Sequence, residues 1–186
     1  MINVSIVGGS GYTGGELLRL LLFHESCVVK QVTSERFAGK AIHKAHPNLR
    51  GASSLKFCNL TELEPCDVLF LCLPHGQTAE RFDDFSALAS TIIDLSADFR
   101  LSDPDTYAKW YGQPHPNPGL LDQFVYGVPE INRAAIKDAT HVACAGCNAT
   151  ASTLALAPLA NRNLISSVVI DVKAGSSEAG NAATEG

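Results

Sequence analysis

Apolar and polar residues alternate over positions 2–7 (I-N-V-S-I-V), and the glycine-rich run G-G-S-G-Y-T-G follows at once. The apolar period then changes. Leu17, Leu18, Leu21 and Leu22 recur at helical spacing with Glu16 near the amino end, so the pattern predicts a strand, a tight turn and a helix. A second strand is expected at 28–33, then an irregular stretch to about 54 and a weak strand at 55–57. Residues 67–73 (D-V-L-F-L-C-L) are almost continuously apolar, as in a strand covered on both faces. A helix at 77–88 and a short strand at 91–95 follow. The segment 96–128, rich in Asp, Pro, Gly and aromatics, reads as a long loop with one short helix near 104–110; loops of this length usually border a site. A helix at 130–137, a strand at 139–144, a helix at 148–160 and a long strand at 165–174 complete the pattern. Strands alternating with helices imply an α/β fold with a doubly wound parallel sheet. The closing small-residue run, G-S-S-E-A-G-N-A-A-T-E-G, carries no cap and reads as a loop that has been cut.

Length and charge narrow the classes. At 186 residues there is room for one substantial domain and part of another. The 14 Lys and Arg residues form no run, which argues against nucleic acid as a partner. The apolar stretches fall short of the ~20 residues that a membrane-spanning helix requires. The amino end has no signal-peptide pattern, so a cytoplasmic protein without membrane attachment is expected.

The glycine run is the first candidate for chemistry. Gly8, Gly11 and Gly14 give G-x-x-G-x-x-G between a strand and a helix. Glycines let the backbone turn sharply and approach a pyrophosphate, whose charge meets the helix N–H groups. Ser10 and Thr13 add hydroxyl donors, and Tyr12 lies within the same turn. The alternative is a plain strand-to-helix turn. At the end of the second strand an acid favours NAD, and an arginine favours NADP through its 2′-phosphate. Here T-S-E-R-F-A-G-K supplies Ser34 and Arg36 for NADP against Glu35 for NAD; the balance points to NADP.

Six cysteines in a chain with a full complement of apolar residues are expected to be reduced. Cys27, Cys58, Cys66 and Cys72 lie in or beside apolar runs, where a thiol acts as a small hydrophobe. The pair in C-A-G-C-N-A-T, Cys144 and Cys147, is different. One C-x-x-C supplies two of the four ligands of a zinc site, and His141 falls at an odd offset along the strand, so no metal is expected. A redox pair would suit a fold that does not begin with a glycine turn. A third possibility is a nucleophile. Cys147 falls at the start of the next helix, where unpaired N–H groups and the helix dipole stabilise a thiolate. Gly146 lets the chain bend there, and Cys144 ends the strand. A buried capping cysteine remains the competing reading.

Seven ordered motifs carry a family resemblance: G-G-S-G-Y-T-G-G-E-L-L-R-L-L (8–21), T-S-E-R-F-A-G-K (33–40), H-P-N-L-R-G (46–51), L-P-H-G (73–76), D-L-S-A-D-F-R-L (94–101), V-Y-G-V-P-E (125–130) and A-G-C-N-A-T-A (145–151). The chain resembles the N-acetyl-γ-glutamyl-phosphate reductase family. It is most similar to the branch acting on carrier-protein-linked aminoadipyl or glutamyl phosphate, because the acetylglutamyl branch usually has N-P-G-C-Y-P-T at the cysteine. The resemblance implies a Rossmann-type NADP-binding domain over residues 1–146. Residues 147–186 would then begin an α+β catalytic, substrate-binding domain that is incomplete. It also implies NADPH-dependent reduction of an acyl phosphate to a semialdehyde, in arginine or lysine synthesis, through a thioester on Cys147. A histidine acid is expected beyond residue 186, and so is a homo-oligomer for the longer protein.

Ser96 and Arg100 follow a strand end and are candidate substrate ligands; Arg100 could instead pair with Asp98 or Asp103. His75 is a candidate for the nicotinamide pocket, and Tyr126 and Glu130 for the floor of the site. Two other functions stay open. One is an aspartate-semialdehyde-type dehydrogenase, whose cysteine motif differs. The other is a dinucleotide-binding sensor that needs the glycine turn but not Cys147.

Overall fold

The computed structural model describes residues 1–175 and Glu178. Six strands form one parallel sheet: β1 (Ile2–Val7), β2 (Cys27–Val32), β3 (Val68–Leu71), β4 (Thr91–Asp94), β5 (Phe124–Gly127) and β6 (His141–Cys144). Their spatial order is β2-β1-β3-β4-β6-β5. The winding reverses between β1 and β3, so the loops after these two strands diverge and leave a crevice at their carboxyl ends. The expected doubly wound sheet is therefore the observed one. Helices α1 (Tyr12–Leu21), α2 (Gln77–Glu80), α3 (Phe82–Ser86), α4 (Pro104–Tyr111), α5 (Pro129–Asp138) and α6 (Cys147–Ala160) connect or follow the strands.

Alternation in the strands divides the core. Ile6 joins Leu18, Val29, Val32, Ile42, Leu49 and Phe57 in one cluster. Its neighbour Val7 belongs to another, with Leu69, Leu71, Phe82, Phe85, Ile92 and Phe124. Adjacent strand residues face opposite sides, so the sheet is packed on both. Among the described residues no helix is long and apolar enough to cross a membrane.

Four expectations are corrected. The weak strand at 55–57 is not formed. Its backbone bonds Gly39, Lys40 and Ile42 on one side, and Cys58 bridges Thr33 on the other. Each contact is one bridge, too brief for a ladder. The helix expected at 77–88 is two short ones, broken at Arg81 (φ −119°, ψ 18°). Strand β5 lies inside the segment read as loop, where F-V-Y-G pairs with β6 at the sheet edge. The long strand expected at 165–174 is not formed: no strand among the described residues pairs with it. Val169 there is 98% exposed. Apolar, β-branched side chains set a preference, but a strand needs a neighbour to accept its hydrogen bonds.

Candidate active site

The glycine turn is wedged into place. Gly8 has φ +76°, and a Cβ there would stand 2.4 Å from the Cys72 carbonyl oxygen, so glycine is required on both counts. Gly14 needs its small size, because a Cβ would lie 2.5 Å from Gly9 Cα. Gly11 has nothing nearer than 3.8 Å. It is the N-cap of α1 and makes no side-chain cap bond, which leaves the first-turn N–H groups to a ligand. Gly8, Ser10, Ser34, Glu35 and Arg36 line a groove of about 480 Å³, with Leu73 and Gln77 on the far wall. Of the other candidates in the turn, Gly14 is buried, Tyr12 is exposed, and Thr13 lines the neighbouring cavity.

At the end of β2 the side chains divide their work. Ser34 Oγ lies 2.7 Å from Ser10 Oγ and accepts from the Phe37 N–H. One Glu35 oxygen accepts from the Leu60 N–H at 3.2 Å, and both residues line the groove. The Arg36 guanidinium lies 5.4 Å from the Phe37 ring centre. Ser10 of the glycine turn and Ser34, Glu35 and Arg36 after β2 are thus brought to one groove, wide enough for part of a dinucleotide.

The second corner follows β6. Gly146 caps α6 and Cys147 is its first residue. Of the six cysteines, all free, Cys147 is the exposed one. Its Sγ lies 3.4 Å from Glu178 Oε1, and Asn148 Nδ2 donates to the same oxygen at 2.6 Å. Thr13, Cys147, Asn148 and Glu178 line a cavity of about 400 Å³. The thiol therefore opens beside α1, next to the glycine turn. Glu178 escaped the sequence reading because a lone acid in a small-residue loop 31 positions away carries no pattern. Cys144 differs: burial, with Asp94 nearby, pushes its thiol up to about 11, and burial pushes Cys72 up to about 12.

Arg100 sits behind this corner. Its Nε donates to the Cys144 carbonyl at 2.8 Å and its Nη2 to the Leu95 carbonyl at 3.1 Å. It also lines a cavity of about 340 Å³ with Tyr111, Tyr126 and Gly146. The pairing considered with Asp98 or Asp103 is not seen. Asp98, 0% exposed, accepts from Gly76 N, Ala79 N and His75 Nδ1, while Asp103 caps α4 through Thr106. Ser96 is buried, donates to Asp94 and accepts from the Asp98 N–H, so its hydroxyl is engaged inside the loop. Asp94, 0% exposed, is pushed up to about 6 by burial, against the hydrogen bonds of Ser96 and Thr78. His75 stacks on Tyr111 at 4.5 Å; its neighbours in sequence, Leu73 and Gln77, line the groove and His75 itself does not. Glu130 is exposed in the first turn of α5.

A doubly wound parallel sheet with a wedged glycine turn and a groove at its winding reversal defines a Rossmann-like dinucleotide-binding domain. The family model described as semialdehyde dehydrogenase, NAD binding domain, matches residues 3–139. Another, described as semialdehyde dehydrogenase, dimerisation domain, matches residues 147–186. The chain belongs to the semialdehyde dehydrogenase family. It is 50% identical over 185 residues to a (LysW)-L-2-aminoadipate 6-phosphate reductase of Deinococcus radiodurans, covering 98% of this chain and 53% of that protein. It is 46% identical over 190 residues to a (LysW)-L-2-aminoadipate/(LysW)-L-glutamate phosphate reductase of Saccharolobus solfataricus, covering 100% of this chain and 54% of that one. The chain thus spans about half the length of these relatives. The fold is shared with aspartate semialdehyde dehydrogenase II of Vibrio cholerae in complex with ASA (TM-score 0.64, 20% identity, 87% of this chain and 43% of that one). It is also shared with an aspartate semialdehyde dehydrogenase of Candida albicans solved with NADP (TM-score 0.54, 16% identity, 89% of this chain and 48% of that one).

Proposed function

We propose that these residues form the amino-terminal half of a cytoplasmic NADPH-dependent reductase. It converts a carrier-protein-linked aminoadipyl or glutamyl phosphate to the semialdehyde, in lysine or arginine synthesis. The observation that carries the reading is the exposed Cys147 thiol sharing a cavity with Thr13 of the glycine-turn helix. The names of the relatives favour the carrier-linked substrate over acetylglutamyl phosphate. Ser34 and Arg36 together, against Glu35 alone, favour NADP over NAD. We divide the chain into a cofactor domain, residues 1–146, and the start of a catalytic and oligomer-forming domain, residues 147–186.

When bound, the nicotinamide supplies hydride. Cys147 Sγ attacks the acyl carbon, the carbon–oxygen bond to phosphate breaks, and inorganic phosphate leaves a thioester on the enzyme. With hydride supplied to that carbon, the carbon–sulfur bond would break, its electron pair returning to Cys147 Sγ as the aldehyde departs. One proton is taken up per turnover: acyl phosphate, NADPH and H⁺ give aldehyde, NADP⁺ and phosphate. Arg100 holds the corner that presents the thiol, and it lines the neighbouring cavity with Tyr111, Tyr126 and Gly146 as a candidate anion ligand. The family resemblance implies that the acid is a histidine beyond residue 186.

The test is mass spectrometry of the chain with carrier-linked aminoadipyl phosphate, with acetylglutamyl phosphate, and without NADPH. An acyl adduct on Cys147, absent from Cys147→Ser and faster from the carrier-linked substrate, is expected. NADPH binding with no adduct from either substrate would leave the sensor reading standing instead.

A further inference from the structure

The cofactor reading leaves His46, in H-P-N-L-R-G, without a role. Its ring lies against the glycine turn, with Nε2 2.7 Å from the Gly9 carbonyl oxygen. A carbonyl only accepts, so Nε2 carries the proton in this contact. The same ring fills the space beside Gly15, where a Cβ would come within 2.5 Å of it. Gly15 is therefore a notch that admits the imidazole. The ring is seated firmly from its own side. His46 N donates to the Ile42 carbonyl and its carbonyl accepts from Leu49 N, and Ile42 and Leu49 are both buried in the core.

The consequence runs through one peptide. No peptide bond in the described structure is cis, and in a planar trans peptide the C=O and the following N–H point opposite ways. Holding the Gly9 oxygen on His46 thus directs the Ser10 N–H away from His46, and Ser10 is on the groove wall. We propose that His46 is a positioning residue for the dinucleotide. Its Nε2–H fixes the Gly9–Ser10 peptide so that the Ser10 N–H serves as a donor to the pyrophosphate, and Gly15 is the glycine that makes room for it. The inference rests on the cofactor reading and goes beyond it by assigning the orientation of the turn to a side chain 37 residues away.

The experiment is an NADPH titration of the ¹⁵N-labelled 186-residue chain followed by NMR, which reads weak binding residue by residue. The wild type is expected to shift the Ser10 amide. His46→Ala should weaken binding roughly five- to tenfold, the worth of one hydrogen bond, and lose the Ser10 shift. His46→Gln, whose amide nitrogen reaches the place of Nε2, should restore most of the affinity. His46→Asn, which mimics Nδ1, should not, at unchanged thermal stability. Gly15→Ala should resemble His46→Ala, and the double variant should be no weaker than either, because both act on one contact. Equal binding by wild type and His46→Ala, or Gln no better than Asn, overturns this inference and leaves the cofactor reading intact. A wild-type chain whose turn shows no NADPH-dependent shift removes both.

Discussion

Two strand-to-helix corners stand at the carboxyl edge of the same sheet, and they are built differently. The turn after β1 is braced on three sides. Gly9 N bonds the Thr33 carbonyl at 2.9 Å, Gly8 abuts the Cys72 carbonyl, and His46 holds Gly9 from behind. Its helix α1 buries Gly14, Gly15 and Leu18. The corner after β6 is anchored by Arg100 on two carbonyls, and its helix α6 buries no residue. The first corner has to hold a shape to which a ligand conforms. The second has to leave a sulfur accessible.

The largest expected effect is in thiol reactivity. Iodoacetamide should label the exposed Cys147 about a thousandfold faster than Cys72 or Cys144, which are half-buried and whose thiols burial pushes up; peptide mapping over time reads this. Comparable rates at all three would erase the contrast between the corners. Next comes the wedge. Gly8→Ala, with positive φ and a clash at 2.4 Å, should cost about 3 kcal/mol in urea unfolding. Gly11→Ala, with open space around it, should cost less than about 1 kcal/mol.

Asp94 gives a pH prediction with a definite sign. Its folded value of about 6 lies above the ordinary 3.8, so the folded chain keeps a proton that the unfolded chain has lost. The stability this contributes is full below about pH 4 and disappears as pH rises through about 6, a change on the order of 2 to 3 kcal/mol. Asp94→Asn should flatten the stability profile across that window; a slope identical to wild type would show that the carboxylate ionises freely in the fold. The smallest effect concerns Arg100. Arg100→Met should raise hydrogen exchange at the α6 corner by about 1 to 2 kcal/mol of local opening, with no change at the β1 turn. Equal changes at both corners would mean that they are one cooperative unit.

Much of the fold was legible because its signals are local. The alternation of I-N-V-S-I-V, the leucine spacing of α1 and the apolar run of β3 each name their element without help. The glycine turn and the position of Cys147 at a helix start were legible for the same reason. Contacts across the chain were not. Nothing local marks Asp98 as the partner of His75, Glu178 as the neighbour of Cys147, or Arg100 as a clamp on the Cys144 carbonyl. Strand β5 hid for a related cause: four residues at a sheet edge bounded by Gly and Pro carry too short a period to register. The reverse error, at 165–174, came from trusting β-branched composition where pairing decides.

The uncovered segment has a practical consequence. Leu164, Val168, Val169, Ile170 and Val172 are each exposed, as is Leu159, and among the described residues no strand pairs with residues 165–174. Segments of this kind adhere to one another. For the 186-residue chain, light scattering should climb with concentration, and Val169→Lys should suppress the climb while leaving the sheet untouched.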